Sequence, residues 1–320
     1  FRAKQLLKWI HQKGVLDFDI MTNFNKDLRK KLSSVASIEP PKIHQVHTSN
    51  EGTIKYLIEL NSGSMVEMVI IPEKNRRTLC VSSQAGCALQ CTFCATGAQG
   101  FDQNLESHEI IGQLWLANFN QDNTKPITNV VFMGMGEPLL NYDSVIESAK
   151  IMKDQLSYGL SRKRITISTS GIVPNINKLS KEIDVSLAIS LHAAEDNLRN
   201  EIVPINKKYP IKSLIKACKE YLNYFDNKRN ITIEYILIDG INDSIEHAKK
   251  LTKLLSDISC KINLIPFNSF TGSDYKRPSN NKINEFKKYL MSKGFIATLR
   301  ITRGDGVDAA CGQLVGNLSN

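Results

Sequence analysis

The sequence predicts an α/β protein: a partial (β/α)6 barrel of the TIM type, preceded by a small helical domain and a β-hairpin. A chain of 320 residues has room for one large α/β domain with a small appendage. From residue 79 onward, strand-like runs alternate with amphipathic helical segments, and several runs are continuously apolar, as is typical of parallel strands covered by helices. We therefore predict a basic helical accessory domain at 1–48, a β-hairpin extension at 49–78, and the partial barrel with a C-terminal cysteine loop at 79–320.

The first 78 residues change from a helical pattern to a strand pattern. Apolar residues recur at helical spacing within 2–32, among them Leu6 and Ile10. Two strand-like runs follow at 53–60 and 65–71, joined by the turn sequence NSGS at 61–64. Glu67 stands inside the second apolar run. Because side chains alternate between the two faces of a strand, such an acid is more often a solvent-facing residue than a catalytic base.

The predicted barrel strands are followed by polar residues. In parallel α/β architectures the chemistry lies at the carboxyl ends of the strands, so polar side chains just past those ends are candidates for function. The strands are predicted at 79–83, 129–135, 164–169, 185–191, 231–238, 261–266 and 297–302, and the helices at 109–118, 145–154, 176–181, 211–224, 246–255 and 283–291.

Composition and charge restrict the class of protein. Hydrophobic residues make up 42% and charged residues 23% of the chain, which is ordinary globular composition, and no apolar run is long enough to cross a bilayer. The seven cysteines, three of them within eight residues, do not resemble a secreted disulfide framework, so a cytoplasmic location is predicted. The net charge is +9, and residues 1–48 hold nine Lys or Arg against four Asp or Glu. This surplus fits a polyanionic partner such as RNA, or a solvated basic face.

Three cysteines form a compact candidate metal site. Cys87, Cys91 and Cys94 lie in a loop that follows the first barrel strand, at spacings of four and three residues. Thiolates are the usual ligands of iron–sulfur clusters, and three of them leave one iron of a four-iron cluster open for a ligand. The alternatives are a structural zinc site with a distant fourth ligand, or buried inert thiols.

The spacing Cys87-x3-Cys91-x2-Cys94 resembles the signature of the radical S-adenosylmethionine superfamily. A closer resemblance, over nearly the whole chain, is to the dual-specificity rRNA and tRNA adenine-C2 methyltransferase family. The segments that carry it are FRAKQLLKW at 1–9, TLCVSSQ at 78–84, NVVFMGMGEP at 129–138, STSG at 168–171, ISLH at 189–192, VPINKK at 203–208, IPFN at 265–268 and AACGQL at 309–314.

The resemblance implies a radical S-adenosylmethionine barrel with two cofactors. A [4Fe-4S] cluster would be held by the three cysteines, and S-adenosylmethionine would bind at its open iron. Glycine at a strand end lets a ligand approach the backbone, and an acid there can meet an ammonium group. The segment MGMGEP at 133–138, which contains Gly136 and Glu137, is not a dinucleotide-binding fingerprint, because the third glycine of that motif is missing. The residues implied to bind S-adenosylmethionine are Gly136, Glu137, Ser168, Ser190, Leu191, His192 and Asn268.

The resemblance also implies a catalytic trio of Cys311, Cys80 and Glu67. Adenine C2 is electron-poor, so a direct polar attack on a sulfonium methyl is not open to it. In the family, one cofactor molecule methylates the residue that matches Cys311, and a second is cleaved reductively to a radical that activates this methyl group for addition to the ring. Cys80 then resolves the protein–RNA adduct by forming a disulfide with Cys311, after Glu67 has accepted the C2 proton. Two S-adenosylmethionine molecules would be used per turnover.

The resemblance names the partners and leaves alternatives open. The substrates would be 23S rRNA and tRNA next to the anticodon, with an electron donor such as flavodoxin, a monomeric enzyme and no membrane. One alternative is the related adenine-C8 rRNA methyltransferase family that confers antibiotic resistance, which shares the cluster and the cysteine pair. A non-catalytic zinc RNA-binding protein would explain the basic amino end and the thiols, but not the polar residues at the strand ends.

Overall fold

One ten-stranded sheet forms the centre of the molecule. The computed structural model describes residues 1–120, 125–226, 228–300, 309–310 and 312–316. Within them the first four strands, β1 to β4, form an antiparallel meander, and β4 then continues into parallel strands in the order β4-β7-β8-β9-β10-β11-β12. The strands are β1 (Lys42–Thr48), β2 (Ile54–Glu59), β3 (Met65–Glu73), β4 (Arg76–Cys80), β7 (Asn129–Phe132), β8 (Ile165–Thr169), β9 (Ser186–Ser190), β10 (Ile231–Leu237), β11 (Cys260–Pro266) and β12 (Ile296–Leu299).

Helices connect the parallel strands and cover their convex face. A small hairpin of β5 (Gln84–Gly86) and β6 (Phe101–Asn104) stands beside the cysteine loop. Together with the parallel strands, this arrangement confirms the predicted α/β partial barrel. The helices along the barrel are α3 (Ala95–Gln99), α4 (Ser107–Phe119), α5 (Tyr142–Lys153), α6 (Val173–Glu182), α7 (Asp196–Ile202), α8 (Ile211–Tyr224), α9 (Ile245–Leu254) and α10 (Asn280–Ser292).

The amino-terminal helices have a small core of their own. Helix α1 (Arg2–Leu7) continues into a wider π-helical turn, and α2 (Lys26–Val35) begins at Asn25, whose side chain accepts the Leu28 N–H. Phe18, Met21 and Phe24 form the buried centre of this unit. The helical pattern is confirmed here, but β1 was not predicted; this strand lies at the end of the predicted 1–48 segment and pairs with β2.

The two faces of the barrel strands differ in polarity. In β8, Ile165 and Ile167 point to the helices and are fully buried, whereas Thr166 and Ser168 line cavities on the concave face. Strand β10 repeats the pattern, with Glu234 on the concave side. These two strands therefore alternate, with polar residues on the concave face, because that face encloses a polar cavity instead of a packed core. No helix among the described residues has the length and apolar character that a bilayer crossing requires.

Candidate active site

The three cysteines line one cavity of about 150 Å³ at the carboxyl ends of the parallel strands. Cys91 is buried, Cys87 and Cys94 are partly buried, and none of the three is in a disulfide. Burial raises the pKa of Cys87 to about 12 and raises that of Cys91 as well. Burial therefore favours the protonated form of Cys87 and Cys91, and a metal that binds them must displace their protons.

Backbone contacts hold the cysteine loop tightly. The Cys94 N–H donates to the Cys91 carbonyl at 3.1 Å, which closes a turn between these two ligands. A Cβ on Gly97 would lie 3.0 Å from the backbone N and O of Cys91, so the first turn of α3 packs directly on the loop. The loop therefore presents its three thiols from a fixed backbone.

The donor set fits an iron–sulfur cluster. Among the described residues, no three His, Cys, Asp or Glu side chains lie close enough together to hold a single metal ion. In a cluster each cysteine binds a different iron, so thiols spread around one cavity suit it. Cys87, Cys91 and Cys94 would hold such a cluster and leave a fourth iron without a thiolate from this loop.

The segment after β7 brings backbone and a carboxylate to the same cavity. Gly136 has a φ of +95°, and a Cβ there would lie 2.5 Å from the Cβ of Gln84. The Gln84 side chain also accepts the Glu137 N–H at 2.8 Å, so the hairpin strand β5 fixes the position of the segment that contains Gly136 and Glu137. Both Gly136 and Glu137 line the cavity.

Glu137 is a buried carboxylate held by backbone donors. Its side-chain oxygens accept the Leu139 N–H at 3.0 Å and the Ser170 N–H at 2.7 Å. Burial raises the pKa of this carboxyl to about 6, although the hydrogen bonds oppose the shift. A carboxylate in such a place is suited to an ammonium group, which would compensate its buried charge.

Ser168 and Ser190, at the carboxyl ends of β8 and β9, line the cavity together with His192, which follows β9. The imidazole Nδ1 of His192 accepts the Ile236 N–H at 3.0 Å. Burial lowers the pKa of His192 to about 3, and nearby Arg199 adds to this shift, so the ring is neutral and its Nε2 carries the proton. Nε2 can therefore donate a hydrogen bond to a ligand, while the ring packs edge-on against Phe93 at 4.6 Å between centroids.

Two predicted cofactor residues are placed differently. Leu191 is buried, and its carbonyl accepts the Arg199 Nε–H at 2.9 Å; it does not line the cavity of the cysteines. Asn268 lines a second cavity of about 500 Å³ on the concave face. The two cavities share lining residues, among them Met133 and Glu234, so they form one continuous concave surface.

Glu67 and Cys80 share the concave face of the antiparallel strands. Cys80 pairs with Val69, and Glu67 lies two residues from Val69 on the same face. Glu67 is 3% exposed, so the expectation that strand alternation points it to solvent is wrong. Its two oxygens are occupied, by Lys55 Nζ at 2.9 Å and by the Val315 N–H at 2.9 Å.

The segment that follows Cys311 contacts both the helix after the cysteine loop and Glu67 on β3. Cys311 itself lies outside the described residues. After it, the Gly312 carbonyl accepts the Ala95 N–H at 2.7 Å, and the Leu314 carbonyl accepts the Thr96 hydroxyl at 2.6 Å. Both donors belong to the helix that begins at the last cluster cysteine. The tail therefore runs from the cysteine loop to Glu67 on β3.

Sequence reasoning missed Arg199, which lies behind the cavity wall. It is fully buried and donates to the carbonyls of Ser170, Ser190 and Leu191 at 2.6, 3.1 and 2.9 Å. Its sequence context, DNLRNEI, predicts only a surface helix, so no local pattern indicates this role. Lys55 was missed for the same reason, because a lysine in a strand is usually at the surface.

Comparisons with known proteins agree with this geometry. Residues 81–252 match the radical SAM superfamily, and residues 1–38 match the ribosomal RNA large subunit methyltransferase N-terminal domain. The dual-specificity RNA methyltransferase RlmN of Pseudomonas putida strain GB-1 is 56% identical over 325 aligned residues, which cover 100% of this chain and 85% of that protein. RlmN of Marinobacter nauticus is 52% identical over 324 residues, covering 100% and 88%.

Solved structures give the same architecture. A radical SAM methyltransferase from Sphaerobacter thermophilus is similar with a TM-score of 0.93 and 40% identity, over 99% of this chain and 93% of that chain. Streptococcus suis SuiB, solved with S-adenosylmethionine, is similar with a TM-score of 0.54 and 14% identity, over 72% of this chain and 52% of its own. At that identity the likeness concerns the fold alone.

Proposed function

This chain belongs to the RlmN family of radical S-adenosylmethionine RNA methyltransferases, and we propose that it methylates C2 of adenine in 23S rRNA and in tRNA next to the anticodon. S-adenosylmethionine and a [4Fe-4S] cluster are the cofactors that the family implies. The observation that carries the proposal is the position of Glu67 and Cys80 on one concave strand face, joined to the cysteine loop by the tail that follows Cys311.

The chemistry of C2 requires more than a methyl donor. When bound, the cluster and cofactor would supply a methyl group, remove one hydrogen atom from it, and accept the one electron that the adduct gives up. Cys311 would carry the methyl carbon and form the bond to C2 of the target adenine. Glu67 would accept the C2 proton. The sulfur of Cys80 would then bond to that of Cys311, and the methylene carbon would leave with the bonding electrons and take a proton.

The cofactor contacts follow from the cavity wall. Glu137 would pair with the ammonium group of S-adenosylmethionine, and Gly136 would let it approach the backbone. Ser168, Ser190 and His192 would offer hydrogen bonds to the rest of the molecule. Leu191 would hold Ser190 and His192 in place through its backbone bonds to Arg199 and Glu234, and Asn268 would contribute from the adjoining cavity. Two cofactor molecules would be consumed per turnover.

The remaining partners belong to the same proposal. The basic amino-terminal unit would contact RNA phosphates, and flavodoxin would serve as the electron donor. We further propose that the enzyme acts as a monomer and works in the cytoplasm, where both RNA substrates are found.

The product distinguishes the candidate functions. The protein would be reconstituted with iron and sulfide without oxygen, incubated with RNA and methyl-labelled cofactor, and the RNA digested to nucleosides. We expect label at adenine C2. Label at C8, or an intact cluster with no labelled nucleoside, would contradict the proposal. A zinc protein would lack the brown colour and charge-transfer absorption of an iron–sulfur cluster.

Cys80 provides a second test. Replacement with alanine (Cys80→Ala) removes the sulfur that resolves the adduct, so we expect a covalent protein–RNA species to accumulate. Denaturing gel electrophoresis after digestion of unbound RNA would detect it. Cys218→Ala is the matched control, because that thiol belongs to α8 and is buried in the hydrophobic core. Normal release of methylated RNA from the Cys80 variant would exclude the proposed role.

A further inference from the structure

A buried ion pair lies on the concave face of β2 and β3. Lys55 pairs with Val69 and Glu67 with Leu57 in the strand register, so all four side chains share one face. Lys55 Nζ lies 2.9 Å from Glu67 Oε1, with side-chain exposures of 8% and 3%. The pair is therefore almost completely removed from water.

Fold stability alone does not account for this pair. Desolvating two charges offsets much of their attraction, and apolar residues of similar volume are often equally stable or better. Leu57 and Val69 are 2% and 1% exposed beside it, so apolar side chains pack well on this face. The charges at Lys55 and Glu67 therefore indicate a chemical role.

Each oxygen of the Glu67 carboxylate has one donor, and the Glu67 backbone carbonyl has another. Oε1 receives Lys55, Oε2 receives the Val315 N–H, and the Glu67 carbonyl accepts the Ser82 hydroxyl at 2.6 Å. Each ionised carboxylate oxygen has a second lone pair, so both donors can stay in place while one oxygen takes a proton. Val315 is four residues from Cys311, which ties the orientation of this carboxylate to the tail.

We propose that Lys55 is a positioning residue whose ammonium group holds the Glu67 carboxylate for proton transfer from adenine C2. The proposal rests on the proposed function of Glu67. In this step the C2–H bond breaks, its electron pair stays with the adduct, and the proton moves to a Glu67 oxygen. Lys55 keeps its charge throughout and touches no substrate.

The test separates the steps before and after adduct formation. Lys55→Met keeps the length of the side chain but removes the ammonium, and Lys55→Arg keeps a positive donor. Each reconstituted variant would be assayed for methylation of Cys311 by mass spectrometry, for deoxyadenosine release, and for the decay of the covalent protein–RNA adduct. Lys216→Met is the matched control, because Lys216 forms an exposed ion pair with Glu220.

We expect Lys55→Met to methylate Cys311 and release deoxyadenosine normally, while its adduct decays at least about tenfold more slowly. Lys55→Arg should recover part of this loss, and Lys216→Met should behave as wild type. Equal slowing of every step in both Lys55 variants would show a merely structural role and overturn the proposal.

Glu67→Gln makes failure of the two proposals distinguishable. If its adduct persists but that of Lys55→Met decays at the wild-type rate, the role of Lys55 is overturned and that of Glu67 stands. If the Glu67→Gln adduct decays normally, Glu67 is not the proton acceptor and both proposals fall. Should Lys55→Met not fold, Lys55→Gln, which retains a neutral donor, replaces it in the same assays with the same expected slowing.

Discussion

Glu137 is the residue whose protonation should govern cofactor affinity. Its ionised form is needed to pair with an ammonium group, and burial raises its pKa from 4.5 to about 6. An acid with a raised folded-state pKa stabilises the fold below the unfolded value, and this contribution is lost as pH rises through about 6. The ionised carboxylate is thus costly to the protein without ligand, and a bound ammonium group would offset that cost.

Cofactor binding should therefore weaken in mild acid. With a pKa of about 6, roughly a quarter of Glu137 is ionised at pH 5.5, so we expect S-adenosylmethionine to bind about fourfold more weakly there than at pH 7.5. Equilibrium dialysis of the reconstituted enzyme would measure this. Glu137→Gln should bind weakly with little change over the same range, and a variant that keeps the wild-type pH dependence would assign the titration to another group.

Among single residues, the sequence predicts those whose place in the site follows from their neighbours in the chain. Cys87, Cys91 and Cys94 are close in the chain, and Gly136 and Glu137 lie in the short segment after β7, so their shared cavity could be predicted. Lys55 could not, because its partner Glu67 is twelve residues away on another strand and only the register joins them.

Among elements, Arg199 joins the helix α7 to the loops after β8 and β9. Its guanidinium donates to three carbonyls there and to the Asn206 side chain at 2.8 Å. Ser168 and Ser190, at the carboxyl ends of β8 and β9 just before these loops, line the cavity of the cysteines. Because the planar fork of an arginine matches several acceptors at once, a lysine cannot replace all four bonds.

We expect Arg199→Lys to weaken S-adenosylmethionine binding at least about tenfold, since misplaced loops and unpaired buried carbonyls cost several kcal/mol. The variant should still bind its cluster, because the cysteine loop also has backbone contacts outside α7, such as the hydrogen bond from the Cys87 N–H to the Gly100 carbonyl at 2.7 Å. Iron content and visible absorption would report the cluster, and dialysis the cofactor. Arg229→Lys, at an ion pair with Asp184 away from the cavity, is the control. Unchanged affinity in Arg199→Lys would exclude the positioning role.

The positions of the strands in the chain were predicted better than the polarity of their two faces. The strands β8 to β11 lie within a residue or two of their predicted ranges, because each is bounded by turn residues. Their polar concave side was not predicted, since Thr232 and Glu234 stand among apolar residues that dominate the pattern. Strand β1 was missed because its sequence, KIHQVHT, alternates polar and weakly apolar residues at a sheet edge.

For the whole molecule, the amino-terminal unit is fixed against the barrel. The Trp115 indole N–H donates to the Ile10 carbonyl at 3.0 Å, and the Gln12 side-chain amide donates to the Gln155 carbonyl at 2.8 Å. His11 adds a hydrogen bond of 3.1 Å to the Tyr158 hydroxyl. The amino-terminal unit therefore has a fixed place on the barrel, against α4 and the segment that joins α5 to β8.

RNA affinity should thus depend on salt through the amino-terminal lysines. Each lysine that neutralises a phosphate releases counterions, so its removal lowers the slope of log affinity against log salt by roughly 0.7 to 0.9. We expect a variant with four Lys→Gln substitutions in the amino-terminal unit to bind tRNA more weakly. The slope of its log affinity against log salt should be shallower, as measured by fluorescence anisotropy over a salt series. The same change on barrel helices should leave the slope unchanged, and equal slopes in the two variants would exclude a specific role for the amino-terminal surface. The first set is Lys4, Lys8, Lys30 and Lys31, and the control set is Lys212, Lys216, Lys249 and Lys288, all exposed.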